Sequence, residues 1–390
     1  MIGNSLHKFS LAVFAYAIAT LGWWLQPALV NEIMLRFSVS ESRAGLVISL
    51  EMTAIAASSI LMSRFLRKVS VKSTILLGTA LALGGAGLTI RASDLNELII
   101  TRILTGMGEG VLMAEASAII AAFIDPDRAY GRLSAVVILI CSGIVFSLPY
   151  CRYIYYQELH VFATMLFSFV ALSLLLLLLN FNHQGTRVEA SARATTVGSL
   201  GLVPLGTGVF LVGVTSGAMW PFYYLYGQQS GLSEPEIDTA VGFSTLLSMG
   251  GPILAAIIGA APRRIYHVTA GAFILACAIV GMTLFHNPVA YQVCAILIIA
   301  ATYFSLSYFL GYAAALDPSG RGAAVISGIF LWTGAVGPYL GGLILEHYDG
   351  WLMAALAISG NSIAWLLFVA VERRLQARDV VLPSDRQAMF

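Results

Sequence analysis

Long apolar runs separated by short polar breaks dominate this chain. A helix that crosses a bilayer needs about 20 mostly apolar residues. Twelve stretches meet that length: roughly 9–30, 44–63, 73–91, 98–123, 131–150 and 160–180, then 200–226, 239–261, 266–285, 289–313, 323–345 and 351–371. Between the sixth and seventh lies the one long polar stretch, 181–199 (NFNHQGTRVEASARATTVG), whose Gly, Ser, Thr and Arg content marks a linker. The pattern predicts an all-α integral membrane protein. Residues 1–180 form a first six-helix bundle, 181–199 a linker, 200–372 a second six-helix bundle and 373–390 a tail. The first apolar stretch follows MIGNSLHK without a small-residue cleavage site and reads as a retained span.

The placement of charge tests that division. With both termini cytoplasmic, 16 of the 21 basic residues fall on the cytoplasmic side, among them Arg64, Arg67, Lys68, Lys72, Arg263, Arg264 and Arg373; Arg36, Arg43, Arg91 and Arg152 fall on the other, and Arg102 lies inside a span. Four to one is the bias that orients membrane proteins, and one span more or fewer in the middle would scramble it. The expected setting is a bacterial inner (plasma) membrane with the linker and both termini inside. Composition agrees: 58% of residues are hydrophobic and 11% charged, against roughly 25% charged in soluble domains, and the mean hydropathy is +0.85. A net charge of +1 offers no field for nucleic acid. The four cysteines form no CxxC pair or disulfide framework. No cofactor or metal is expected, and the expected form is a monomer in the lipid bilayer.

The two halves echo each other. Asp125-Pro126 after the fourth span matches Asp317-Pro318 after the tenth, and Trp24 and Pro27 match Trp220 and Pro221. Such repeats are common in transporters.

Few ionisable residues lie at membrane depth: Glu51 in the second span, and Arg102, Glu109 and Glu115 in the fourth, with none at mid-depth in the second half. Each costs about 2.5–3.5 kcal/mol at a helix centre, so each must be paired, neutralised or wetted. Arg102 and Glu109, seven apart, lie within about 20° of each other around the helix, two turns apart; Glu115 points about 120° away from Glu109. A carboxyl in a low-dielectric wall favours its protonated form and a nearby guanidinium opposes this, which is the chemistry of a proton carrier. The plainer alternative is that these carboxyls bridge helices by hydrogen bonds and carry nothing. It stays open, most of all for Glu115, and Arg102 serves equally as a structural clamp.

Aromatic residues crowd two other places. Trp220, Phe222, Tyr223, Tyr224 and Tyr226 end the seventh span; Tyr303, Phe304, Tyr308, Phe309 and Tyr312 run along the tenth, with Trp332 in the eleventh. An interfacial belt accounts for Tyr224 and Tyr226. A deeper phenol needs a partner or a wet cavity. Tyr223, Tyr303, Tyr308, Trp332, Trp220 and Gln26 are therefore the candidate contacts for a solute. A wall of this kind suits a partly apolar organic molecule and not a bare inorganic ion, which needs a cage of carbonyls or carboxylates.

The fourth span reads Arg102-Ile-Leu-Thr-Gly106-Met-Gly108-Glu109-Gly110, and the eleventh Gly334-Ala-Val-Gly337-Pro338-Tyr-Leu-Gly341-Gly342. These resemble the RxxxGxGxG signature and the Gly-Pro-rich gating helix of the major facilitator superfamily of secondary transporters. The loop Asp317-Pro-Ser-Gly-Arg321-Gly and the step Asp349-Gly350-Trp351 are similar too. The resemblance implies two pseudo-symmetric six-helix bundles that move a small organic solute by alternating access, with protons as the coupling partner in symport. It implies packing and gating roles for Gly106, Gly108, Gly110, Gly337, Pro338 and Gly341, and proton coupling through Glu109, Glu51, Glu115 and Arg102. Two features depart from the family. The loop between spans two and three, usually Gly-x-x-x-Asp-Arg-x-Gly-Arg-Lys, is Ser63-Arg-Phe-Leu-Arg67-Lys68-Val-Ser70-Val-Lys72, with Arg67 where the acid belongs. The fifth span has only Ser142-Gly143 and a distant Pro149 in place of the exporters' Gly-x-x-x-Gly-Pro. The Gly-Glu-Gly step is similar to that of spinster-like lipid transporters, so a lipid or lysolipid carrier is the alternative. A membrane enzyme is disfavoured, because the six histidines scatter over both faces and no HExxH, GxSxG or P-loop occurs.

Overall fold

A computed structural model describes residues 2–66, 68–123, 126–154, 159–179, 199–259, 264–316, 321–348 and 350–381. Arg67, Asp125, Arg263, Asp349, the 317–320 turn, all but the last residue of the predicted linker, and the tail beyond 381 lie outside the described residues.

Fourteen α-helices run through the described residues in chain order. In the first half these are α1 (Ile2–Phe37), α2 (Glu41–Phe65), α3 (Val71–Arg91), α4 (Leu95–Ala121), α5 (Pro126–Ile154) and α6 (His160–Leu178). The second half holds α7 (Ser199–Met219), α8 (Tyr223–Gln229), α9 (Glu234–Leu247), α10 (Gly250–Ile258), α11 (Arg264–Leu284), α12 (Pro288–Leu316), α13 (Arg321–His347) and α14 (Gly350–Val381). They make twelve spans long and apolar enough to cross a membrane, as predicted. The seventh is broken: α7 passes into the 3₁₀ turn Trp220–Phe222 before α8 resumes, because Pro221 has no N–H to give. The eighth divides at Ser248–Met249 into α9 and α10.

Several helix starts carry their own caps. The Asp94 carboxylate accepts from the Glu97 N–H at 2.9 Å while Glu97 reaches back to the Ser93 N–H at 2.8 Å. Ser233 and Glu236 form a capping box on α9, and Asn287 accepts from the Ala290 N–H at 2.8 Å to start α12. Each satisfies donors that a helix terminus would leave bare. Large apolar side chains such as Phe273 and Leu366 are exposed on the outside, the arrangement expected where lipid is the solvent.

α4 lies at the centre of the first bundle, packed on α1, α2 and α3; in the second, α7 packs on α13 and α14, and α11 on α12 and α14. The bundles meet through α2–α13, α5–α9 and the contact of α1 with the 3₁₀ turn. These contacts gather toward the face opposite the termini. There a Cβ on Gly45 would sit 2.3 Å from the Pro338 carbonyl oxygen, and one on Gly342 2.4 Å from that of Glu41. The Tyr339 N–H donates to Ser49 Oγ at 3.1 Å, and Phe146 meets Phe243 edge-on at 5.0 Å. Toward the face that carries the termini the same line of α13 is bare: Leu331, two turns before Pro338, is 51% exposed.

Candidate functional site

The intramembrane charges converge inside the first bundle. Gly106 of α4 lets α2 approach so closely that a Cβ there would lie 2.6 Å from the Glu51 carbonyl oxygen. This fixes Glu51 one turn from Arg102 on α4. The Arg102 guanidinium grips both carboxylate oxygens, Nε to Oε2 at 3.0 Å and Nη2 to Oε1, and points Nη1 at Met165 Sδ on α6 at 3.2 Å. Arg102, Glu51 and Glu109 are all fully buried. Glu109 differs chemically, since its carboxyl lies against the Gly22 backbone and the Glu51 carboxyl and not on a cation of its own. Both acids press on one point of α1: a Cβ on Gly22 would meet Glu109 Oε1 at 2.9 Å and Glu51 Oε1 at 3.1 Å. Arg102 grips Glu51 and reaches Glu109 only through space, so one guanidinium serves two acids. Gln26, one turn along α1 from Gly22, is buried with its carboxamide unpartnered among the described residues. Glu115 is buried on another side of α4.

The other α4 glycines serve the same packing. A Cβ on Gly110 would lie 2.2 Å from the Ile55 carbonyl oxygen on α2, and one on Gly108 2.3 Å from Ala82 N on α3. The signature spacing therefore lets two neighbours seat against one helix, which small residues permit. In the second bundle Gly337 and Gly341 do this for α7, with Cβ positions 2.5 Å from Gly217 C and 2.3 Å from the Ala218 carbonyl oxygen. Pro338 between them faces Gly45 of α2.

One residue after Gly22, the aromatic groups begin. Trp23 and Trp24 of α1 close a pocket against the second bundle, with Trp220, Tyr303 of α12, and Phe330 and Thr333 of α13; its volume is about 30 Å³. Trp24 stacks on Tyr303 with centroids 6.3 Å apart and planes at 24°, and meets Trp220 edge-on at 6.4 Å. The Trp220 indole N–H donates to the Trp23 carbonyl at 2.8 Å. Of the predicted solute contacts, Trp220 and Tyr303 line this pocket. The others lie elsewhere. Tyr223 is buried behind Trp220 and donates to the Ala295 carbonyl at 3.1 Å. Tyr308 stacks on His267 at 4.9 Å. Trp332 is exposed on α13.

Two buried acids escape the sequence pattern, because the helices run past the apolar stretches that mark them. α1 continues to Phe37, so Glu32 lies within it. Glu32 accepts from the N–H groups of Val161 and Phe162 at 2.7 and 3.0 Å and pairs with His160 at 3.2 Å. α9 begins at Glu234, so Asp238 lies within it; Arg152 of α5 binds Glu234 and Asp238, the latter at 3.2 Å, tying one bundle to the other. The capping-box spelling Ser233-x-x-Glu236 was the signal that would have extended the eighth span to include Asp238.

Twelve spans, a buried charge cluster and an aromatic pocket are the parts of a membrane transporter. The chain belongs to the Major Facilitator Superfamily, whose family model matches residues 12–318. Among solved structures it is similar to a bacterial homolog to the human lysosomal transporter Spinster. The inward-facing and occupied form of that protein gives a TM-score of 0.66 at 14% identity, covering 96% of each chain. The inward-facing and unoccupied form gives 0.67 at 14% identity, covering 96% of this chain and 94% of that one. At this identity the likeness is one of fold. No curated protein sequence matches the chain.

Proposed function

We propose that this protein is a proton-coupled secondary transporter of a small, partly apolar organic solute, with Glu109 as the group that takes and releases the proton. One observation carries the reading: Glu109 is a fully buried carboxyl set directly against a second acid, Glu51, whose two oxygens Arg102 already holds. Gly22, which touches both acids, precedes the two tryptophans of the pocket, so a proton on Glu109 and a solute against Trp24, Trp220 and Tyr303 act on the same stretch of α1. Arg102 and Glu51 hold the cluster in place; Glu115 and Gln26 are further polar groups on the same two helices. The bundles rock about this site, and Gly337, Pro338 and Gly341 keep α13 close to α7 and α2 as they do. The positive-inside bias supports cytoplasmic termini, and on that orientation the closed face is the outer one. The residue range 1–180 moves against 200–372, joined by 181–199.

A thermal-shift screen of purified protein against solutes at two pH values identifies the solute, because a ligand that binds only the folded state raises its melting temperature. In proteoliposomes uptake of that solute by the wild type then follows an imposed pH gradient, and uptake by Glu109→Gln does not. Full response in the variant removes Glu109 from the mechanism.

A second reading, a lipid carrier without obligatory proton, draws on the exposed apolar side chains Leu331 and Trp332 of α13 and Ile60 and Leu61 of α2. Transport indifferent to pH, with acyl chains found against these side chains, is its signature.

A further inference from the structure

The pocket behind Trp23 and Trp24 has a one-sided hydrogen-bonding character. Three hydroxyls belong to its wall, and each has already committed its proton to its own helix: Ser216 to the Gly213 carbonyl at 3.1 Å, Thr302 to Ile298 at 2.7 Å and Thr333 to Phe330 at 2.6 Å. The Trp220 indole is likewise occupied by the Trp23 carbonyl. A hydroxyl that donates still holds two lone pairs, so toward an occupant these three groups only accept. The rest of the wall is largely π-face, from Trp23, Trp24, Trp220, Tyr303 and Phe330, and a π-face is negative. The donors left over are the Trp24 indole and the Tyr303 phenol. A volume of about 30 Å³ holds a group the size of one water.

Each of these features selects against an anion and for a compact cation with several N–H donors. A carboxylate or phosphate would find two donors, the Trp24 indole and the Tyr303 phenol, against three lone-pair oxygens and five negative ring faces. A neutral alcohol would use one acceptor of three. A quaternary ammonium exceeds the space and has no proton to give. We propose that the pocket takes the primary ammonium head of a small organic amine: its N–H protons go to the oxygens of Ser216, Thr302 and Thr333, and its first methylenes lie on Trp24 and Trp220 by cation–π attraction. This rests on the transporter reading and names the class of its solute.

The test is a binding measurement on the purified full chain at pH 7, with Trp332, Trp351 and Trp365 replaced by Phe so that the reporting indoles are the three in the wall. Three isosteric probes are titrated: n-butylamine, n-butanol and butyrate. Saturable quenching by butylamine, at least about tenfold tighter than any effect of butanol and absent with butyrate, is expected, since hydrogen bonds to a charged group are each worth about 1.5–3 kcal/mol. Ser216→Ala with Thr302→Val should weaken butylamine about tenfold and leave butanol unchanged. Equal affinity for butylamine and butanol, or tighter binding of butyrate, overturns the proposal, and neither comparison needs the hydroxyl variants to fold. The outcome is separable from the proton reading. A pocket indifferent to charge leaves the Glu109→Gln result standing, and a pH-responsive Glu109→Gln protein that still binds butylamine removes only the proton assignment.

Discussion

Arg102 decides whether the buried acids are tolerable. It is fully buried and serves Glu51 with two nitrogens. Removing one partner of a buried pair leaves an uncompensated charge, which costs about 3–5 kcal/mol, while replacing both by apolar groups of similar volume is often neutral. Arg102→Met should therefore lower the melting temperature of the purified protein strongly, and the double variant Glu51→Met, Arg102→Met should recover most of that loss. If the double variant melts no higher than the single, the pair is not the stabilising unit. Gly22 makes a second residue-scale case. Its missing side chain is what lets Glu109 and Glu51 reach α1, with 2.9 and 3.1 Å to a would-be methyl. Gly22→Ala should displace both carboxyls at a cost of about 1–3 kcal/mol, the range for overpacking, and should abolish pH-driven uptake while the protein still purifies as a folded species. Undiminished uptake would mean that the acids work without that contact.

At the scale of the helix, α4 is defined by what its glycines admit. Gly106 and Gly110 take the backbone of α2, and Gly108 that of α3, with 2.3 Å from its Cβ position to Ala82 N. Backbone cannot swing aside as a flexible side chain can, so Gly108→Val should prevent α3 from seating and sharply reduce the yield of folded protein. α3 supplies the control: Gly84 and Gly87 have no atom within 4 Å of the same position, and Gly87→Val should express and melt like the wild type. Comparable yields for the two valine variants would show that the spacing is not a packing device here. The break in the seventh span is the corresponding feature of the second bundle. Pro221 ends α7, and the turn that follows presents Trp220 to Trp23 and Trp24 instead of continuing the helix past them.

For the whole molecule, the closed face depends on contacts between bundles, and Arg152 is their most polar element. It reaches from α5 to Glu234 and to Asp238, which has no exposed surface. Arg152→Gln leaves Asp238 without its cation and removes a tie that must break whenever this face opens. Cys151, half-buried beside Arg152, reports the change. With Cys141, Cys277 and Cys294 replaced by Ser, a maleimide applied to this face should label Cys151 several-fold faster in the Arg152→Gln protein, because a destabilised closed state raises the population of the open one. An unchanged rate would place the closing energy in the glycine contact of α2 with α13 instead.

The amino-acid sequence by itself determined the twelve spans, the six-and-six division and the presence of Glu51, Arg102, Glu109 and Glu115 at depth. These follow from the solvent: hydrocarbon penalises each polar side chain where it stands, so the pattern is local and can be read residue by residue. Only the tertiary structure decided who meets whom. Arg102 pairs with Glu51, 51 positions away, and not with Glu109 on its own helix. Trp220 and Tyr303 reach a common pocket with Trp24 while Tyr308 and Trp332 do not, although all four are aromatic residues of the second half. Glu32 and Asp238 turned out to be buried because helices outlast the apolar runs that betray them. Such partnerships depend on the rotation and depth of one helix against another across turns that carry no record of either, and no local pattern encodes them.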